Sequence, residues 1–141
     1  MTTVCAHVLC EFGGCDCRVL DDLALIKKAM YDAAAAAKVT VLNGYFHRFS
    51  PAGVTGLLSI AESHISVHTW PEAGYAAVDI FTCGDHATPQ LAARVLADAL
   101  RAKSVKIVDM KRGVPLGPDA FGVEIRTRDA SLTRACEATV S

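Results

Sequence analysis

AESHISVHTWPEAGYAAVDIFTCGD, residues 61–85, holds a serine, two histidines, a tryptophan, acidic residues and a cysteine between two apolar runs. Ile65, Val67, Val78, Ile80 and Phe81 are strand formers. Pro71, Glu72, Ala73 and Gly74 between them read as a turn, so the stretch is expected to fold as a hairpin that holds its reactive side chains on rigid strands.

Outward from this hairpin, residues 4–12 alternate loosely and are rich in Val, Leu and Cys, a first strand ended by Gly13-Gly14. Over residues 21–38, Leu23, Ile26, Met30, Ala33 and Ala37 recur at three- and four-residue spacing, with acids leading and Lys38 closing. That is a helix whose narrow, alanine-rich face should lie close to a sheet. Residues 39–46 and 54–60 are two more strands, parted by the turn-prone Ser50-Pro51-Ala52-Gly53. Thr88-Pro89 gives an N-cap and a first-turn proline for a helix through Leu91, Val95, Leu96 and Ala99. Residues 105–110 and 121–126 are the last strands, and beyond Thr127 the composition turns polar, as at a frayed end.

Strand, helix, several strands, helix, strands is the order of an α+β two-layer sandwich, mainly antiparallel, with helices on one sheet face. The near-continuous apolar runs GLLSIA and YAAVDIF suggest that both sheet faces are buried, the second by another protomer in a homodimer of four layers, α/β/β/α. A chain of 141 residues is expected to form one domain, 1–141, burying roughly two thirds of its unfolded surface.

Charge excludes other classes. With 14 basic against 15 acidic residues and no basic cluster, neither nucleic acid nor a membrane surface is an expected partner. His7 and Glu11 interrupt the apolar start, so it is no signal peptide, and no run reaches transmembrane length. Six cysteines in such a chain point to reduced thiols and a cytoplasmic setting.

The string ESH…HTWPE…FTCG, with FHRFSPAGVTG at 46–56, AKSVKIVDMKRG at 102–113 and the early HVLCEF, resembles the short prokaryotic class of pyruvoyl-dependent S-adenosylmethionine decarboxylases. The resemblance covers residues 4–113. It implies a zymogen that cuts itself between Glu62 and Ser63 into 1–62 (β chain) and 63–141 (α chain), and that makes its cofactor, a covalent pyruvoyl group, from Ser63. It implies decarboxylation of S-adenosylmethionine for spermidine synthesis, the substrate amine being held as a Schiff base at residue 63. The same machinery acting on L-ornithine or L-arginine, or an uncut non-catalytic α+β binding module, are the alternatives.

By the same resemblance His68 is the processing base, and imidazole is the side chain that exchanges protons near neutral pH. Cys83 is the proton donor, a role that needs a protonated thiol. Thr55 stands where the family has a serine that aids processing, its extra methyl restricting χ1. Phe49 and Glu72 match positions that stack the adenine and hold the ribose hydroxyls. Gly13-Gly14 stands where family members often carry an aromatic.

Self-cutting needs a hydroxyl held against its own preceding carbonyl in strained backbone, with donors for the oxyanion. His64 and His68 form an H-x-x-x-H pair, but on a strand, so no metal is expected and His64 reads as structural. Cys5, Cys10, Cys15, Cys17 and Cys136 read as packing. Strand parity adds that Ser63 and His68, five residues apart, point to opposite faces. A bulge in cis, or a site shared across a dimer, must therefore bring them together.

Overall fold

The computed structural model describes residues 2–130. The elements are β1 (Cys5–Gly13), α1 (Cys17–Leu20), α2 (Leu23–Ala36), β2 (Val41–Arg48), β3 (Val54–Ile60), β4 (Ser63–Trp70), β5 (Tyr75–Thr82), α3 (Pro89–Ala99), β6 (Ser104–Gly117) and β7 (Ala120–Asp129). The strands form one antiparallel sheet in the order β2-β3-β4-β5-β1-β6-β7. The first strand thus inserts between β5 and β6, and the hairpin of residues 61–85 lies at the middle of the sheet.

Alternation sorts the side chains. Val8, Cys10, Phe12, Leu58, Ile65, Val67, Val78 and Ile80 point to one face and are buried there against Ile26, Met30, Ala33 and Leu96 of α2 and α3. Fully burying a side chain of the size of Ile or Met contributes about 1.5–3 kcal/mol. The alanine-rich stripe of α2 does lie close to the sheet: a Cβ on Gly56 of β3 would run into the Met30 thioether. Asp22 caps α2 with its side chain, accepting from the Leu25 N–H at 3.1 Å.

The outward face, expected to be covered by another protomer, is open in the single chain: β3 places Leu57 and Ser59 in solvent, and β4 does so with His68 and Trp70. Several other expectations are corrected. Thr88 occupies the N-cap position of α3, but its hydroxyl makes no cap and reaches the Ala36 carbonyl at 3.4 Å instead. The short α1, capped by Asp16, breaks what reads as a loop. The last hairpin is longer than residues 105–126, because register shifts at Lys111/Val114 and Pro115/Gly117 carry the pairing past Gly113. β7 runs through Asp129, beyond the polar onset at Thr127, and the frayed end otherwise falls outside the described residues. No helix among the described residues is long and apolar enough to cross a membrane.

Candidate active site

At one end of β4, the turn Ala61-Glu62 delivers Ser63 with φ +151°, a region that side chains rarely occupy. A residue held there stores on the order of 1–3 kcal/mol and persists only where its surroundings fix it. They do so here through Glu62. Its carbonyl accepts the backbone N–H of Cys83 at 2.8 Å, and its carboxylate accepts the Thr40 N–H at 3.0 Å and pairs with His86 Nε2 at 2.6 Å. The Thr40 N–H, and after it His86, hold that carboxyl below the usual range against the opposing effect of burial. His86 folds back over Gly84, whose φ of +112° and missing Cβ let the imidazole close on Glu62. Ser63 Oγ lies 3.7 Å from Cys83 Sγ.

At the other end of β4, His68 faces Thr55 across the β3–β4 ladder, and Thr55 Oγ1 and His68 Nδ1 are hydrogen-bonded at 3.0 Å. That contact fixes the ring and leaves Nε2 without a partner among the described residues. Phe49, Trp70 and Glu72 join this pair around a hollow of about 350 Å³. The Gly13-Gly14 turn lies behind the Glu72 loop, where Cys15 N–H donates to the Gly74 carbonyl at 2.9 Å.

The site residues therefore fall into two groups, Glu62, Ser63 and Cys83 at one end and Thr55, His68, Phe49 and Glu72 at the other. Five strand steps of about 3.3 Å put Ser63 and His68 on the order of 17 Å apart, and neither side chain spans that gap. Both border an outward hollow of about 540 Å³ along β3 and β4, which Tyr45, Leu57 and Ser66 also line.

Two features were not visible in the sequence. Cys5 is disulfide-bonded to Cys83, which corrects both the expectation of reduced thiols throughout and the reading of Cys5 as packing. The cause is register: Ala6 pairs with Thr82, so Cys5 and Cys83 face each other at the next step of the β1–β5 ladder. Cys10 and Cys15 are buried and free, as packing cysteines should be, whereas Cys17 is free but exposed; Cys136 lies outside the described residues.

The sheet also gathers His7, His64 and Asp79, whose candidate ligand atoms lie within 4.8 Å of one another. His64 Nε2 meets one carboxylate oxygen of Asp79 at 3.0 Å and His7 Nε2 meets the other. Arg112 donates to His7 Nδ1 at 3.3 Å. Each carboxylate oxygen of Asp79 is thus engaged by a histidine, with a guanidinium beside the group, an arrangement that suits a hydrogen-bonded brace better than a cation.

The reactive and polar side chains of this α+β sandwich gather on the open face of its sheet and at the ends of one central strand, the layout of an enzyme rather than of a passive module. The chain belongs to the S-adenosylmethionine decarboxylase family, which it matches over residues 6–113. It is 46% identical over 114 residues to the S-adenosylmethionine decarboxylase proenzyme of Caldanaerobacter subterraneus subsp. tengcongensis, covering 81% of this chain and 92% of that one. To the proenzyme of Thermococcus gammatolerans it is 41% identical over 132 residues, 94% and 92% of the two chains. The crystal structure of the adenosylmethionine decarboxylase from Aquifex aeolicus superimposes with a TM-score of 0.68 at 28% identity, covering 93% of this chain and 95% of that one.

Proposed function

We propose that the chain cuts its own Glu62–Ser63 bond and, in the resulting pyruvoyl form, decarboxylates S-adenosylmethionine. The observation that carries this is Ser63 itself: it is a non-glycine residue at φ +151° whose preceding carbonyl already accepts a backbone N–H. Ser63 Oγ attacks the Glu62 carbonyl carbon, the Cys83 N–H takes the developing oxyanion, and the C–N bond breaks as the Ser63 amine regains a proton, leaving an ester. His68 then removes the Cα proton of residue 63, the Glu62 carboxylate leaves from Cβ, and water releases ammonia from the dehydrated residue.

The pyruvoyl group so formed supplies a carbonyl that draws off the electron pair left as carbon dioxide departs. The other tasks belong to side chains of this chain. Cys83 Sγ, already beside position 63, delivers the proton to the product carbon. Phe49 offers a face to the adenine and Glu72 acceptors to the ribose hydroxyls. Relatives named for S-adenosylmethionine favour it over ornithine or arginine as substrate. A cytoplasmic setting, where thiols are kept reduced, suits a thiol donor.

The working unit we propose is a two-fold homodimer packed through the outward sheet faces. Its support is the gap on the order of 17 Å between Ser63 and His68, together with the exposed Tyr45, Leu57 and Trp70 on the face that would be covered. Each site then takes Ser63 and Cys83 from one protomer and His68 with Thr55 from the other.

Intact mass of the active protein tests the cut. Two chains, 1–62 and 63–141, are expected, the second lighter by one ammonia than the same chain beginning with serine. An active preparation that holds only the whole chain refutes the proposal, and a panel of S-adenosylmethionine, ornithine and arginine decides the substrate. Cys83→Ala keeps its backbone N–H, so it is expected to be cut while turnover falls about 100-fold, the usual loss when a positioned proton donor is removed. Full turnover in that variant removes Cys83 from the mechanism.

A further inference from the structure

We infer that Cys5 is a redox partner of Cys83, and that the disulfide between them is a reversible modification which takes the proton donor out of service. This rests on the reading of Cys83 as the donor. A disulfide sulfur carries no proton, so the bonded form has nothing to give the product carbon.

The pairing is a consequence of strand order. β1 lies beside β5, and Cys5 opens β1 where Cys83 follows β5. Their Cα atoms are 4.5 Å apart. That is the spacing of a non-hydrogen-bonded antiparallel pair, in which facing side chains lean together, and it falls within the range a disulfide tolerates. The two residues are only partly buried.

The other sheet cysteine and its neighbour in the loop are poor competitors. Burial pushes the thiol of Cys10 up to about 12 and that of Cys15 to about 11, so neither gives a thiolate near neutral pH. Arg112 stands opposite Cys5 on β6, stacks over Phe81 at 4.7 Å and reaches His7, which puts a fixed cation on the same face.

With a low-molecular-weight disulfide as oxidant, the thiolate of one cysteine attacks a sulfur of that disulfide and expels one thiolate. The second cysteine then attacks the mixed disulfide and expels the other. Two protein thiols are oxidised, one small disulfide is reduced to two thiols, and the two protein protons end on the leaving groups. A dithiol reverses both steps.

The self-cut makes the bond directly visible. Cys5 lies in residues 1–62 and Cys83 in 63–141, so the disulfide ties the two chains of the mature enzyme together. Mature enzyme treated with oxidised glutathione should run as one band on a non-reducing gel and as two after dithiothreitol, with peptide mass mapping finding Cys5 joined to Cys83. Decarboxylation should fall at least tenfold on oxidation and return on reduction. Cys5→Ser should lose the cross-link while keeping its activity in dithiothreitol. Two separate bands after oxidation, a cross-link that survives in Cys5→Ser, or a cross-linked enzyme at full activity each overturns the inference. A single band under reducing conditions instead means that Glu62–Ser63 was never cut, which is the failure of the functional reading.

Discussion

Ser63→Ala is expected to leave one chain of 141 residues with no decarboxylase activity. The variant lacks the hydroxyl proposed to attack the Glu62 carbonyl, and without the cut no pyruvoyl group is made. The loss is therefore the whole enzymatic acceleration, about 10⁶-fold or more, rather than a fraction of it. The fold should survive, because Ser63 Oγ makes one contact, to Cys83 Sγ at 3.7 Å, and residue 63 sits at the end of the β4 ladder, paired with Ile60 and Thr82. Thermal unfolding within a few degrees of the uncut precursor, together with a single mass, separates lost chemistry from lost structure. A cut Ser63→Ala chain would move the reaction to another residue.

The fold was legible where period and punctuation agree. Ile65, Val67, Val78 and Ile80 around Pro71–Gly74 read as a hairpin and form one, and α2 shows its stripe from Ile26 to Ala33. The reading fails where a feature is too short or too local to carry a period. α1 has four residues, and β6 continues past Gly113 only because two register shifts absorb the break.

Within the site, the motif reading singled out Ser63, His68 and Cys83 individually, but their arrangement in space depends on strand order. No spacing in the sequence says that β1 enters between β5 and β6, yet that insertion sets Cys5 against Cys83 and gathers His7, Asp79 and His64. Parity put Ser63 and His68 on opposite faces, whereas the structure sets both along one outward hollow. What separates them is the length of β4, with Ser63 beside Cys83 at one end and His68 beside Thr55 at the other.

That separation makes the second large effect one of complementation. Ser63→Ala and His68→Ala chains, each unable to cut itself, are coexpressed with different tags and the mixed dimer is isolated through both. If each site draws Ser63 from one protomer and His68 from the other, one of the two sites in the mixed dimer keeps both residues. The His68→Ala chain should then be cut at Glu62–Ser63, because its own serine meets the intact imidazole of the partner, while the Ser63→Ala chain stays whole. Decarboxylation should return from nothing to about the level of one working site per dimer, since that site also has Cys83 beside its pyruvoyl position. Were Ser63 and His68 to act within one chain, the strand would have to bring together residues on the order of 17 Å apart. In that case neither chain of the mixed dimer is cut. Mixed dimers that form and remain wholly uncut would therefore remove the shared site and require β4 to rearrange around Ser63 before the cut.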